Sequence, residues 1–159
     1  MKGILKHLHY VLVPLFYLAV AQIGSFFTMQ GVSTWYPVIM KPAYTPPGTV
    51  IGAIWTVIYI LTAISFILFV NAAGDKKGSG MTLSIYVLNG LINVLWSYVF
   101  FVEHMLFLAF VDALLILLTV RLLIAYTWPY SRISSLLLLP YLLWVSFATY
   151  LNFIIYRLN

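Results

Sequence analysis

Five stretches of mostly apolar residues, each long enough to cross a membrane as a helix, follow one another along the chain. One span needs about 20 such residues, because a hydrocarbon layer of about 30 Å is crossed at about 1.5 Å per residue. The runs do not alternate between polar and apolar residues, as the strands of a membrane barrel would. We therefore predict an all-α integral membrane protein, in which a single domain over residues 1–159 is a bundle of five transmembrane helices. The predicted helices cover about residues 5–27, 48–71, 81–102, 105–126 and 131–156.

The first apolar run also resembles a signal peptide, which would be removed from the mature protein. Lys2 and Lys6 precede the run, and the sequence Ala-Val-Ala at residues 19–21 imitates a cleavage site. The apolar residues continue past that site as far as Phe27, which gives the run the length of a full span. We therefore favour a retained helix, with cleavage as the alternative.

One long connection, residues 29–47, joins the first two predicted helices. It contains four prolines: Pro37, Pro42, Pro46 and Pro47. Proline fixes its own φ angle and restricts the residue before it, so we expect this connection to be stiff. Two interpretations stay open. The segment is either a lid over one end of the bundle or a connector that rests at the level of the lipid headgroups.

The composition agrees with a membrane protein and excludes several other classes. Apolar residues make up 64% of the chain and charged residues 7%, whereas charged residues make up about 25% of a typical soluble domain. The net charge of +5 comes from scattered single residues and not from a patch, which argues against a nucleic-acid partner. The chain has no cysteine, so disulfides and thiol catalysis are excluded.

The basic residues are unevenly divided between the two sides of the predicted bundle. Because Lys and Arg are enriched in cytoplasmic loops, the side that holds more of them is expected to be cytoplasmic. The N-terminal side has Lys2, Lys6, Lys76, Lys77, Arg121 and Arg132, against Lys41 and Arg157 on the other side. We therefore expect a cytoplasmic N-terminus. Short connections and the absence of a presequence favour a bacterial cell membrane.

Polar and aromatic side chains share faces of the predicted helices, because residues three or four apart lie on one face. The shared faces are Trp55, Tyr59, Thr62 and Phe66; Asn89, Asn93, Ser97 and Phe100, with Trp96 beside them; and Pro140, Trp144, Ala148 and Asn152. Unpaired amides are unfavourable in hydrocarbon, so we expect these faces to point into the bundle. The asparagines then act either as glue between helices or as ligand contacts. Gly48-x-x-x-Gly52 also matches a helix-packing pattern, although so short a match is weak.

Aromatic residues make up 18% of the chain, and the five tryptophans among them fall into two groups by their predicted depth in the membrane. Trp35 and Trp128 fall at the ends of spans, where tryptophan commonly forms an interfacial belt. Trp144 lies near the middle of a span, which is the wrong depth for a belt, and Trp55 and Trp96 are intermediate. We interpret these three as part of a binding surface beneath residues 29–47.

Little in the chain suggests acid–base or metal chemistry. Asp112 is the only carboxylate inside a predicted span. We expect it to be hydrogen-bonded to another helix, with a proton relay as the alternative. The three histidines lie at membrane edges without the spacing of metal ligands, so we expect no metal site and no bound cofactor.

Several motifs together resemble one known family. The loop Trp35-Tyr36…Lys41-Pro42-x-Tyr44-x-Pro46-Pro47 resembles the pattern W-Y-x-x-L-x-K-P-x-W-x-P-P. Asn93-x-x-Trp96-Ser97 and Pro140-Tyr141-Leu142-x-Trp144 resemble signatures of the third and fifth helices. These patterns are similar to those of the TspO/translocator protein family, also called tryptophan-rich sensory proteins or peripheral benzodiazepine receptors. The chain departs from them at Met40 and Tyr44, and the C-terminal sterol motif does not fit, because Phe153 stands at its Tyr position.

The resemblance implies a homodimer in the lipid bilayer, with a cavity under the first loop that binds porphyrins such as protoporphyrin IX and benzodiazepine-type ligands. Lys41 at the rim is a candidate partner for a porphyrin carboxylate. Some bacterial members are described as degrading protoporphyrin in light and oxygen with two tryptophans, which correspond to Trp55 and Trp144. Three functions therefore stay open: a receptor or sensor, a photo-oxidative enzyme, or a transporter of tetrapyrroles and other lipophiles. By resemblance, the cavity would be lined by Tyr36, Pro46, Ile51, Trp55, Tyr59, Asn93, Trp96, Trp144 and Ala148.

Overall fold

The structure is a computed structural model that describes residues 7–74 and 76–159. Within these residues the regular structure is entirely helical, and five spans are long and apolar enough to cross a membrane. The helices are α1 (His9–Gly31), α2 (Gly48–Ala73), α3 (Ser79–Phe101), α4 (Leu106–Thr127), α5 (Arg132–Leu137) and α6 (Leu139–Leu158). The fifth span consists of α5 followed by α6. The predicted fold class, an all-α membrane protein of five spanning helices, is confirmed.

The first helix ends four residues later than predicted, at Gly31. The Thr28 hydroxyl donates to the carbonyl of Gly24 at 2.9 Å, and the amide of Val32 donates to the carbonyl of Thr28 at 2.9 Å. The polar residues after Phe27 therefore continue the helical hydrogen bonding, and the connection begins at residue 32 instead of residue 29. The predicted start of this helix at residue 5, like Lys2 and Lys6, lies outside the described residues.

The fifth span is interrupted at Leu138, whereas the sequence predicts one continuous helix. Ser131 caps the start of α5, because its side chain accepts a hydrogen bond from the amide of Ser134 at 3.2 Å. Pro140 has no amide hydrogen to donate to the carbonyl of Leu136, so the helical hydrogen bonding is interrupted here. The same proline suits the first turn of α6, where that hydrogen is not needed.

Close helix contacts place α3 between α1 and α4, and α4 between α3 and α6. Two glycines allow α1 and α3 to approach each other. A Cβ atom at Gly31 would lie 2.4 Å from the backbone oxygen of Phe101, and one at Gly90 would lie 2.7 Å from the ring of Phe16. The contact at Gly31 is with backbone, so this position requires glycine, whereas a side chain at Gly90 would force the ring of Phe16 to move.

Buried hydroxyl groups fasten the end of the bundle that lies away from the loop. The Ser65 hydroxyl lies 2.7 Å from the Tyr86 hydroxyl and 2.9 Å from the Ser134 hydroxyl. The hydroxyls of Thr127 and Ser135 lie 2.7 Å apart. These contacts join α2, α3, α4 and α5, so this half of the bundle is closed and packed.

Candidate ligand cavity

A cavity of about 290 Å³ lies in the other half of the bundle, beneath the connection between α1 and α2. Its volume is close to the lower limit of typical ligand pockets, about 300–1,000 Å³. Its walls come from all five spans and from the connection. The lining residues, which belong to the part of the chain that the structure describes, include no Asp, Glu, Lys, Arg or His. The interior is therefore aromatic and aliphatic, with a few amides and hydroxyls.

The structure brings eight of the predicted lining residues together on the wall of this one cavity. Pro46 is the exception: it lies half-buried in the connection, next to Pro47, the residue before α2. The helix that follows presents Gly48 and Ile51 to the cavity instead. The predicted residues on the wall are Tyr36, Ile51, Trp55, Tyr59, Asn93, Trp96, Trp144 and Ala148.

The ring of Trp96 is held in place by contacts with two other helix positions. Its indole N–H donates to the side-chain oxygen of Asn152 at 3.2 Å. The Asn152 amide in turn donates to the carbonyl of Ala148 at 2.8 Å. The indole also stacks on Phe100, with ring centroids 5.0 Å apart and planes inclined by 20°. Trp96 therefore offers a fixed aromatic surface to the cavity.

Trp144 differs from Trp96, because its buried indole N–H has no hydrogen-bond partner within residues 7–74 and 76–159. Its ring packs beside Phe147 at a centroid distance of 5.7 Å. A buried donor without a partner costs about 1–3 kcal/mol. A hydrogen-bond acceptor that came within reach of this N–H would therefore be favoured.

The predicted inward face of α3 is joined to α6 by a chain of hydrogen bonds behind Trp55. On α6 the bond is made by Tyr141, whereas Pro140, which was predicted to point inward, is exposed. The Asn93 side-chain amide donates to the Tyr141 hydroxyl at 2.6 Å, and that hydroxyl donates to the side-chain oxygen of Asn89 at 3.1 Å. The Asn89 amide continues to the Thr119 hydroxyl at 2.9 Å. The amide groups of both asparagines are thus used between helices, and Asn93 also lines the cavity. Sequence reasoning missed the part played by Tyr141.

The connection between α1 and α2 is fastened to the bundle, which supports its interpretation as a lid. The ring of Trp35 stacks on His104 with centroids 4.1 Å apart, and Tyr36 packs against Phe101 at 5.8 Å. The amide of Met40 donates to the side-chain oxygen of Asn159 at 2.9 Å, and the Asn159 amide returns a bond to the Met40 carbonyl at 3.0 Å. We call residues 32–47 the lid from here on.

Lys41 is used inside the lid. Its ammonium group donates to the carbonyls of Tyr36 and Ile39, and it lies 4.6 Å from the centre of the Tyr36 ring. Such a cation–π contact adds to the two hydrogen bonds. Partial burial raises the pKa of the Tyr36 hydroxyl, so this group stays neutral at physiological pH. Lys41 therefore stabilises the lid at the rim of the cavity.

Sequence reasoning missed the small residues of α1 and α2 that line the cavity. Gly48-x-x-x-Gly52 was a candidate for close helix packing, but a Cβ atom at either glycine would meet no other atom within 4 Å. Thr56 continues the same side of α2. The spacing of four between Gly48, Gly52 and Thr56 was the signal that could have identified them. These small residues border the cavity instead of a neighbouring helix.

Asp112 is buried, with 5% of its surface exposed, but it is not on the cavity wall. Both carboxyl oxygens are without a hydrogen-bond partner in the described chain. The expected hydrogen bond from Asp112 to another helix is therefore wrong.

Comparisons with known proteins show which family the chain resembles. A model of the TspO/MBR family matches residues 10–157. The chain is 44% identical to the tryptophan-rich protein TspO of Bacillus cereus over 126 residues, which are 79% of this chain and 81% of that protein. It is 42% identical over 143 residues to the tryptophan-rich protein TspO of Archaeoglobus fulgidus, with coverage of 89% and 91%. The translocator protein of Homo sapiens is 28% identical over 138 residues, which are 86% of this chain and 82% of that protein.

Proposed function

The chain belongs to the TspO/MBR family, and we propose that it is a membrane receptor that binds flat, largely apolar ligands in the cavity beneath the lid. Porphyrins such as protoporphyrin IX and benzodiazepine-type molecules are the proposed ligands. The observation that carries this proposal is the set of three indoles, Trp55, Trp96 and Trp144, on the wall of one uncharged cavity.

The chemistry of the wall favours a ligand of this class. Aromatic rings prefer offset or edge-to-face contacts with other rings, and each such pair contributes about 0.5–1.5 kcal/mol beyond the burial of area. An uncharged interior disfavours ionised groups, so the carboxylates of a porphyrin would stay at the mouth of the cavity. Because Lys41 already donates to two lid carbonyls, it would be a weaker anchor for those carboxylates than a free ammonium group.

Titration of the purified protein with protoporphyrin IX in the dark tests this proposal. We expect saturable quenching of the protein's tryptophan fluorescence, because a porphyrin in the cavity would lie against the indoles. Absence of saturable binding would contradict the proposal.

A second candidate function is the breakdown of protoporphyrin in light, with dioxygen as the oxidant. The observation that favours it is that both implicated residues, Trp55 and Trp144, lie on the wall of the same cavity. An electron-rich indole next to a photoexcited porphyrin can donate an electron to it. The ring of Trp55 lies 5.6 Å from that of Tyr59, which provides a second oxidisable ring beside it.

The substitution Trp144→Phe tests this second function. We expect it to slow the light-dependent loss of porphyrin absorption at least several-fold, because phenylalanine is much harder to oxidise than tryptophan. The matched control is Trp128→Phe, since Trp128 is exposed at the end of α4 and does not line the cavity. Consumption of porphyrin at the full rate by Trp144→Phe would show that this mechanism is wrong.

The setting of the protein is also part of the proposal. We propose a homodimer in a bacterial cell membrane, with the N-terminus in the cytoplasm. The relatives from bacteria support the bacterial membrane, the distribution of Lys and Arg supports the orientation, and the homodimer rests on the family resemblance alone.

A further inference from the structure

The helices α1 and α2 are joined at the end of the bundle that lies away from the lid. The imidazole Nε2 of His9 lies 2.9 Å from the side-chain oxygen of Asn71, and the Asn71 amide donates to the Tyr10 hydroxyl at 2.9 Å. About two turns further along α1, the rings of Tyr17 and Tyr59 lie 6.3 Å apart. Within the described residues, the side-chain hydrogen bonds between these two helices all lie at this end.

At the lid end, α1 packs against α3, whereas the first turn of α2 has open space around it. A Cβ atom at Gly24 would lie 3.4 Å from the hydroxyl of Ser97, and one at Gly31 would clash with the backbone of Phe101. By contrast, a Cβ atom at the first-turn position Gly48 would meet no atom within 4 Å. The two helices are therefore joined at one end, and near the lid there is open space beside the first turns of α2, which forms a gap between α1 and α2.

This gap leads into the cavity. The wall residues of α3, α4 and α6 are buried, as at Asn93, Ile116 and Val145, or half-buried, as at Trp96 and Trp144. Several wall residues on α1 and α2 are exposed, so the cavity is most open on this side. The α1–α2 gap is bordered by the exposed wall residues Ser25, Met29, Gly48, Gly52 and Thr56.

The position of the α1–α2 gap along the helices decides what it opens to. Thr56 lies eight residues after Gly48, which corresponds to about 12 Å along the axis of α2. Both bordering helices are membrane spans. The gap therefore reaches well into the apolar layer, and it connects the cavity with lipid as well as with the membrane surface.

The route through the lid is fastened. Met40 and Asn159 exchange two hydrogen bonds, and Trp35 stacks on His104. Entry from water would have to break these contacts, whereas entry through the α1–α2 gap breaks none of them.

We propose that ligands enter and leave the cavity sideways, from the bilayer, through the α1–α2 gap, while the lid remains closed. This inference rests on the proposed function, because it concerns the ligand of the same cavity. It also defines the ligand class further: the ligand must dissolve in the bilayer before it reaches the protein. The glycines and small hydroxyl residues at the border keep the passage wide.

The rate of ligand release distinguishes this route from the others. The substitution Gly52→Phe places a bulky ring at the border, so we expect the dissociation of protoporphyrin IX to slow about tenfold or more, the equivalent of 1.36 kcal/mol of barrier per tenfold. The matched control is Gly80→Phe, an exposed glycine of α3 at the far end, with open space around it. Dissociation is measured in the dark by stopped-flow fluorescence, with the protein in phosphatidylcholine nanodiscs and empty vesicles as the porphyrin acceptor.

A ring at position 52 that merely intruded into the cavity would weaken binding and speed up release, so slower release is specific to a blocked passage. Ser25→Phe repeats the test from the side of α1. Unchanged or faster release in both variants would overturn the inference.

A crosslinked lid provides the complementary test. Because the chain has no cysteine, Met40→Cys with Asn159→Cys supplies the only two thiols, which a short bifunctional maleimide can join. We expect the crosslinked protein to bind and release protoporphyrin IX at the rates of the uncrosslinked one. Rates that fall at least tenfold on crosslinking would identify the lid as the route instead. If the wild-type protein bound no porphyrin, the proposed function would fail as well. That result differs from porphyrin binding and release at rates that the substitutions at the α1–α2 gap do not change.

Discussion

The hydroxyl of Tyr141 shows how much one polar atom contributes in the middle of this bundle. It accepts from the Asn93 amide and donates to the side-chain oxygen of Asn89, so a single hydroxyl group links two buried amide side chains. All three residues are buried. In hydrocarbon, water does not replace a lost partner, so the geometry of this cluster fixes how α3 faces α6.

The substitution Tyr141→Phe therefore has an effect larger than the loss of one atom suggests. We expect the free energy of unfolding to fall by about 1–3 kcal/mol, because the substitution removes one hydrogen bond from each of two buried side chains and leaves the side-chain oxygen of Asn89 without its donor. Thermal unfolding in detergent measures it. Tyr126→Phe is the matched control, since Tyr126 is an exposed residue of α4, and we expect it to change stability by less than about 0.5 kcal/mol. Equal stability of the two variants would show that the Tyr141 hydroxyl does not hold the asparagines.

At the scale of the helices, the contact between α1 and α3 depends on two glycines, while α2 meets the rest of the bundle mainly in its second half. The buried residues of α2 lie from Ile58 onwards and include Phe66 and Phe69. The first turns of α2 instead border the cavity. One end of α2 thus serves packing, and the other end leaves room for a ligand.

The substitution Gly31→Ala tests the close contact of α1 with α3. We expect it to lower the free energy of unfolding by about 1–3 kcal/mol, because the new methyl group would overlap the backbone oxygen of Phe101, which cannot move aside alone. The same change at Gly80, where a Cβ atom has open space, is the control. That control should be neutral or slightly stabilising, since alanine favours a helix more than glycine does. If the two variants melt at the same temperature, α1 and α3 are not in this contact.

The sequence predicts the presence of the helices better than it predicts where they end and how they are oriented. Apolar length and the inward faces of residues such as Asn89 and Asn93 follow from spacing alone, and both are as expected in the structure. The end of α1 is missed because Thr28 and Gln30 look like a loop although they continue the helix. The break at Leu138 follows from Pro140, but Pro14 lies inside α1 without ending it, so proline alone does not decide.

The candidate site was predictable to a similar degree. Spacing and family resemblance give the aromatic wall, because those residues are local on their own helices. Spacing and resemblance do not predict the two hydrogen bonds between Met40 and Asn159, because these residues are 119 positions apart. The open space between α1 and α2 near the lid is likewise a property of packing between helices, and the pattern of Gly48 and Gly52 is compatible with either contact or space.

At the scale of the whole molecule, the bundle is divided into a closed half and a hollow half. Hydroxyl groups of Ser65, Tyr86 and Ser134 fasten the closed half, and the lid covers the hollow half. A cavity that is closed beneath and open to one side suits binding and release on the same side. This arrangement supports the proposed receptor or sensor over a transporter, which would need access from both sides of the membrane.

The most direct test of the central claim is to fill the cavity and measure porphyrin binding. Ala148 lies on the cavity wall, and Ser146, two residues earlier on α6, is exposed and does not. We predict that protoporphyrin IX, titrated in the dark and followed by its absorption, binds the wild-type protein and the Ser146→Phe variant saturably. The Ala148→Phe variant should bind at least about tenfold more weakly, a difference of 1.4 kcal/mol or more. Undiminished binding by Ala148→Phe would contradict the account, because the porphyrin would then bind elsewhere.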